Sequence, residues 1–314
     1  MTARTRTIST TDTTDTTGTA TRTDTADTAS TADGTDTADT ATRGDAPALV
    51  VVAHGSRDPR ALGTVRALLD RVRTLRPALP VHLGHIELNE PLLPDTLTAL
   101  GTGEAVLVPL LLSRGHHVKR DIPETAAVSR ARTRVAAPLG PHPLLVDALH
   151  ARLTEAGWPA HAGPDHAVVL ASAGSRDPES SADTARTAAA LSARLGVPVL
   201  PAYASAATPT VPEAVRALTD RGHRRVAVAS CFTAPGRFAT QCATAAPWIA
   251  SEPLGTHPSM AHLLLHRYDR ARGIGSASNA GEGARGASPC ASTAWARPAT
   301  TRAALARQPH PAPA

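Results

Sequence analysis

The chain has 314 residues and a formal net charge of +5, and it is 42% hydrophobic but only 2% aromatic. So mild a charge, with so few aromatic side chains to stack on bases, argues against nucleic-acid binding and favours a small anionic ligand. No apolar run is long enough to span a membrane, and the N-terminus lacks the apolar segment of a secretory signal. We therefore expect a cytoplasmic protein that binds neither nucleic acid nor membrane.

Both ends of the chain have a biased composition. Residues 1–46 are almost entirely Thr, Asp and Ala, with too few large apolar side chains to offset the entropy lost on ordering. Residues 272–314 are rich in Gly, Ala, Ser, Arg and Pro. We predict that both stretches are disordered tails. The three cysteines match no zinc motif and give no indication of disulfides.

Between the tails, short apolar runs alternate with longer amphipathic ones. Residues 48–53 are typical of a strand buried on both faces, and residues 59–76 predict a helix that begins at Pro59. The pattern then predicts, in order, a strand near 81–87, a helix near 92–100, a strand near 105–112, a helix from about 121, a strand near 133–137 and a helix over 143–156. This alternation indicates an α/β fold with a parallel sheet and helices on both faces.

The same unit occurs a second time, from residue 167 to about 270. AHGSRDP (53–59) returns as SAGSRDP (172–178), and the prolines at 80, 91 and 94 return at a constant offset at 198, 209 and 212. We therefore predict two tandem domains, residues 47–160 and residues 161–271, each of the size of one small domain.

The second copy keeps the apolar strands, glycines and prolines but loses its titratable groups. The three most telling replacements are His54 by Ala173, Glu87 by Ser205 and His117 by Phe238. The contrast predicts that the first domain carries the functional site and that the second is a degenerate copy.

Three titratable residues of the first copy follow three predicted strands. His54 comes directly after the first strand, Glu87 ends the second and His117 lies just past the third. Ligands of parallel sheets bind beyond the carboxyl ends of the strands, so we expect these side chains to meet at one edge. Two imidazoles and a carboxylate can ligate a divalent transition metal and accept protons near neutral pH.

Several neighbours of this trio are candidates for substrate binding. Ser56 lies at the entry to a helix, where free backbone N–H groups can receive a carboxylate. Arg57, Arg114 and Lys119 can pair with acidic groups of a substrate or be ordinary solvated charges. The role of His116 beside His117 stays open, as does that of Glu90, which can cap the next helix. The spacing of His82 and His85 on the second strand is weak support for a role at the site.

Three motifs in this order, AHGSRDP, HIELNEP and VPLLLSRGHHVKRDIPE, resemble those of the sirohydrochlorin chelatases, the small class II tetrapyrrole chelatases. The resemblance is strong over residues 48–157 and weaker over residues 167–270. It implies a lyase that inserts Fe²⁺ or Co²⁺ into sirohydrochlorin, on the routes to sirohaem or cobalamin. It gives His54, Glu87 and His117 the roles of metal ligands and proton acceptors, and it implies no cofactor beyond the substrate metal.

Long members of that family carry two fused domains, so the resemblance also implies a monomer that mimics the homodimer of the short members. With so few aromatics, we expect Leu and Val to supply most apolar contact with the macrocycle. Two alternatives stay open: a non-catalytic metal or tetrapyrrole carrier on the same scaffold, and an oxygenase built on two histidines and a carboxylate. The alternating pattern disfavours the oxygenase, because that chemistry usually sits on a β-barrel. The sequence does not choose between iron and cobalt.

Overall fold

A computed structural model describes residues 46–273 of the chain. The predicted tails, residues 1–46 and 272–314, lie outside the described residues except at their inner ends. The first half comprises β1 (Ala48–Ala53), α1 (Pro59–Leu75), β2 (Val81–His85), α2 (Leu93–Ala99), β3 (Glu104–Pro109), a π-helical turn (His117–Asp121), α3 (Ile122–Ala127), β4 (Arg132–Val135) and α4 (Pro143–Glu155).

The second half comprises β5 (His166–Ser172), α5 (Pro178–Leu195), β6 (Val199–Tyr203), α6 (Val211–Asp220), β7 (Arg225–Ser230), α7 (Arg237–Ala243) and α8 (Pro258–Arg272). Each element predicted for the first copy is present. The second and third strands end earlier than predicted, at His85 and Pro109, so Glu87 lies in the loop after β2 rather than at the strand end. No helix within residues 46–273 has the length and apolar character needed to cross a membrane.

All strand pairs are parallel, which confirms the predicted fold class. The first sheet has the order β2-β1-β3-β4 and the second the order β6-β5-β7. The counterpart of β4 in the second half is reduced to one parallel bridge between Val228 and Ala250. In both sheets the first strand of the repeat lies in the interior, so the loops after β1 and β5 emerge at the centre of the carboxyl edge.

Alternate residues of β1 face two different cores, which places helices on both faces of the sheet. Val50 and Val52 pack against α2 and α3, whereas Leu49 and Val51 face a larger core. This larger core also takes side chains from both halves, through α1 and α4 on one side and α5 and α8 on the other. Burying each Leu or Val stabilises the fold by about 1.5–3 kcal/mol, so the shared core joins the two halves.

Equivalent helices of the two halves begin with the same caps. The carboxylates of Asp58 and Asp177 accept N–H groups in the first turns of α1 and α5. His142 and His257 do the same for α4 and α8, where each Nδ1 accepts the N–H two residues on, at 3.2 Å. In both halves, therefore, a histidine at the equivalent position serves the fold as a helix cap.

Candidate active site

The close approach of two loops brings His54 and Glu87 together. Gly55 has a φ of +101°, and a Cβ on it would lie 1.8 Å from the carbonyl oxygen of Glu87, so only glycine fits here. The N–H of Glu87 donates to the carbonyl of His54 at 3.0 Å. As a result the Nδ1 atom of His54 lies 3.6 Å from Oε1 of Glu87, and both side chains keep access to solvent.

The π-helical turn after β3 brings His117 to the same place. Its ring centroid lies 4.7 Å from that of His54, and the two rings are perpendicular. Nδ1 of His117 contacts Oδ2 of Asp121 at 2.5 Å. With Nδ1–H donating to the carboxylate, the lone pair of Nε2 is left for a metal or a proton, which is the usual arrangement of a histidine ligand.

The structure therefore places His54, Glu87 and His117 at one edge of the first sheet, with His54 in contact with the other two. Among residues 46–273, no group of three or more His, Cys, Asp or Glu side chains is already arranged to hold a metal ion. Metal ligation and catalysis by the trio stay predictions.

Two cavities between the halves flank His54. The larger encloses about 420 Å³ and is lined by His54 and His117, by the loop after β3, and by residues of β5, α5 and the loop after β7. The smaller encloses about 180 Å³ and lies between the start of α1 and the loop after β7. Phe232 and Phe238, the only two phenylalanines of the chain, line both cavities. Both rings come from the second half, and Leu110 and Leu111 of the first half line the same two cavities. Which of these side chains contact the macrocycle stays a prediction.

Two of the predicted substrate-binding cations have partners within the chain. Arg114 pairs with Asp183 and Glu179, and Lys119 pairs with Asp177 and Glu179, all of them in the second half. In this arrangement the two cations join the halves instead of facing the larger cavity as free charges. The sequence could not reveal these pairs, because they depend on how the halves pack.

The other predicted neighbours of the trio lie at or near the cavities. Ser56 lines the smaller cavity, and its Oγ accepts the N–H of Asp58 at 3.1 Å. Arg57 is exposed at the surface near α7. His116 is also exposed, and its Nε2 lies 3.4 Å from Asp121.

The loop after β2 is held by further polar contacts. Its Glu90 accepts the N–H of Leu92 just before α2, at 3.1 Å, in agreement with a capping role. His85 lines the smaller cavity, and its Nδ1 lies 3.1 Å from the carbonyl of Pro91; burial lowers the pKa of this ring.

Sequence reasoning missed two residues that support the trio. Asn89 accepts the N–H of Ser56 through Oδ1 at 2.7 Å and so ties the Glu87 loop to the start of α1. Nothing in the sequence marks that contact. Asp121 orients His117, and here a signal existed, because residues four apart meet on a helical turn.

The protein consists of two α/β repeats that share one core. The two histidines and the carboxylate at the cleft between the repeats all come from the first repeat. These features define a duplicated α/β protein with an asymmetric site. The chain belongs to the CbiX family: the family model matches residues 48–156 and again residues 167–271. The two matches correspond to the two halves of the structure.

Curated relatives carry two names. A sirohydrochlorin cobaltochelatase of Methanococcus aeolicus is 36% identical over 80 residues, which are 24% of this chain and 56% of the relative. A sirohydrochlorin ferrochelatase of Priestia megaterium is 25% identical over 237 residues, 70% of this chain and 88% of the relative. The chain thus spans little more than half of the first relative and most of the second.

Solved structures show the same fold. SirB from Bacillus subtilis with Fe³⁺ matches with a TM-score of 0.60 at 26% identity, over 72% of this chain and 95% of that protein. SirB from a Bacillus subtilis subspecies in complex with cobalt matches with a TM-score of 0.57 at 22% identity, over the same shares. The second match shows the fold alone.

Proposed function

We propose that this protein is a sirohydrochlorin chelatase, a lyase that inserts Fe²⁺ or Co²⁺ into sirohydrochlorin in the synthesis of sirohaem or cobalamin. The observation that carries the proposal is the contact of His54 with both His117 and Glu87 at the larger cavity between the halves. Membership of the CbiX family and the names of the relatives support it.

The chemistry needs groups that can hold a metal briefly and accept two protons. A divalent ion that enters the macrocycle replaces two pyrrole protons, so the metal complex forms and two protons leave. Nε2 of His117 and the ring of His54 offer lone pairs to the ion and then to the protons. Glu87 lies within reach of the His54 ring and takes part as a further ligand and base.

The proposal includes a division of labour between the halves. Residues 47–160 form the domain that carries the site, and residues 161–271 form a degenerate domain that walls the cavity and lends Phe232 and Phe238 to the macrocycle face. Ser56 and His116 line the cavities that flank His54, and Arg57 is exposed beside α7; these three residues are assigned to the carboxylates of the substrate. A single chain, acting in the cytoplasm, thus takes the place of a dimer, and it needs no cofactor besides the substrate metal.

Metal insertion followed by absorbance tests the proposal. Purified protein is mixed with sirohydrochlorin and with Fe²⁺ or Co²⁺ side by side, and the faster reaction identifies the preferred metal. We expect His54→Ala and His117→Ala to lower the rate about 10²-fold or more, since each removes a proton acceptor. His262→Ala is the matched control, because this exposed histidine of α8 lines neither cavity.

Rates at the level of the unchanged protein in both His54→Ala and His117→Ala would refute the assignment. Tight binding of the metallated product without turnover would instead indicate the alternative, a carrier on the same scaffold.

A further inference from the structure

The loop that bears His117 is fastened to the second half on its N-terminal side by Arg114. The backbone N–H and Nε of Arg114 donate to Oδ2 of Asp183 at 2.8 and 3.0 Å, and Nη2 donates to Oδ1 at 2.8 Å. Nη1 donates to Glu179 at 3.1 Å. Such a forked pair fixes direction as well as distance, so it sets the course of the chain just before His117.

A second contact fastens the C-terminal side of the same loop. Nζ of Lys119 lies 2.6 Å from Asp177 and 2.5 Å from Glu179, at the start of α5. The hydroxyls of Ser113 and Ser180 add a hydrogen bond of 2.9 Å. His117 therefore lies between two cations that are both held by one helix of the other half.

Asp183 is unusual because its carboxylate is almost fully buried, with 1% of the residue exposed. Burial raises the pKa of this carboxyl, but the hydrogen bonds from Arg114 outweigh that effect and lower the pKa below its usual value. Arg186 contacts the same carboxylate. A buried charge is stable only when it is paired, so moving Arg114 away from Asp183 would cost free energy. The position of Arg114 is therefore fixed.

The equivalent helix of the first half, α1, faces its cavity with apolar side chains. Where α5 presents Ser180 and Thr184 to the larger cavity, α1 presents Ala61 and Val65 to the smaller one. The loop that meets α1 carries Phe238 in place of a histidine. Among residues 46–273, no ion pair or side-chain hydrogen bond joins α1 to the loop that carries Phe238, whereas Arg114 and Lys119 fasten the equivalent loop with His117 to α5.

We propose that the degenerate half positions His117, through the Arg114–Asp183 and Lys119–Asp177/Glu179 contacts, so that its ring meets His54. The effect on metal insertion rests on the proposed function; the effect on the ring position does not. Asp183 is a positioning residue. The second half, which lacks the trio, therefore does more than line the cavity, because it also sets the position of His117.

A second ion pair across the halves provides the control. Arg76, which caps the end of α1, donates to Asp269 of α8, with an Nη1–Oδ1 distance of 2.6 Å. This pair also joins the halves, but it lies away from both cavities. Asp183→Asn and Asp269→Asn therefore each remove an Arg–Asp pair between the halves, and only the first touches the His117 loop.

The test compares these two variants in two measurements. The first is the kinetics of metal insertion with sirohydrochlorin and Co²⁺. The second is the nuclear Overhauser effect between ring protons of His54 and His117, which reports the ring contact. We expect Asp183→Asn to lower kcat about 10- to 100-fold with little change in the KM for sirohydrochlorin, because a displacement of about 1 Å costs roughly 10²-fold. The ring contact is lost in the same variant. Asp269→Asn keeps both, although its unfolding temperature falls.

Equal losses of kcat in the two variants, or an unchanged ring contact in Asp183→Asn, would overturn the proposal. Should Asp183→Asn fail to fold, Lys119→Gln removes the more exposed anchor, and it must weaken the ring contact if the proposal holds. If the unchanged protein inserts no metal while the ring contact still depends on Asp183, the proposed function fails and the positioning role stands.

Discussion

The loops after the first two strands have the same backbone in both halves of the molecule. Gly55 and Gly174 have φ values of +101° and +90°, and a Cβ on either would meet the carbonyl oxygen of the opposite loop, that of Glu87 or Ser205, at 1.8 Å. The hydrogen bonds from Glu87 N to His54 O and from Ser205 N to Ala173 O are both 3.0 Å. Loops of identical course thus carry different side chains.

This comparison separates what the fold needs from what the chemistry needs. Gly-Ser-Arg-Asp-Pro is retained in both halves because the crossing of the loops and the cap of the next helix depend on it. His54 and Glu87 are not needed for that course, since Ala173 and Ser205 follow it equally well. A role outside folding is therefore left for them.

The largest difference in activity between equivalent positions of the two halves is expected at Glu87 and Ser205. We predict that Glu87→Gln lowers the rate of metal insertion about 10²-fold, because the amide keeps the size of the side chain but cannot accept a proton. Ser205→Ala, at the equivalent position of the second half, leaves the rate unchanged. Absorbance assays on both variants, with the unfolding temperature as a check on folding, measure the difference.

Insertion by Glu87→Gln at the normal rate would show that this carboxylate is only a solvated loop residue. It would also contradict the assignment of Glu87 to an active first half and of Ser205 to an inactive second half.

A smaller effect is expected when the shared backbone itself is disturbed. Gly55→Ala and Gly174→Ala each force a side chain against a carbonyl oxygen at positive φ, and we predict that each lowers the free energy of unfolding by about 2 kcal/mol or more. Only Gly55→Ala also moves His54 away from Glu87. Measured on folded protein, it therefore loses more insertion activity than Gly174→Ala.

Urea unfolding gives the stability of both variants, and the insertion assay gives their activity. Equal activity losses would mean that the loop crossing matters for the fold alone and does not help to set the distance between His54 and Glu87.

The trio could be predicted from the sequence because parallel strands end at one edge, so residues after β1, β2 and β3 had to converge. The partners of Arg114 could not be predicted in the same way. Asp183 lies in the other half, and only the packing of α5 against the loop after β3 brings the two together. Phe238 was visible in the sequence merely as a lost histidine, and its place in the cavity wall depends on the same packing.

The smallest effect concerns a feature that the halves share, the histidine caps of α4 and α8. Burial, followed by the nearby charges of Arg267 and His266, lowers the pKa of His142 to about 4. Burial also lowers the pKa of His257. Each Nδ1 accepts a backbone N–H and must be unprotonated to do so.

The sign of the pH effect follows from that shift. Because the folded pKa of His142 lies below the unfolded value of about 6.5, the unfolded chain binds the proton first. The contribution to stability is therefore complete above pH 6.5 and is lost as the pH falls towards 4. Allowing for the partial exposure of the ring, we expect a loss of about 1 kcal/mol between pH 7 and pH 5.

His142→Asn tests this cap directly. Asparagine accepts the same N–H but does not titrate in this range, so the variant loses less stability than the unchanged protein between pH 7 and pH 5. His257→Asn changes the pH dependence in the same direction, and neither variant loses insertion activity at pH 7. Parallel stability curves for His142→Asn and the unchanged protein, from urea unfolding at several pH values, would contradict the assignment. The titrating caps His142 and His257 occur in both halves and therefore belong to the shared fold. His54 and His117 occur in the first half only, and the fold of the second half does without them.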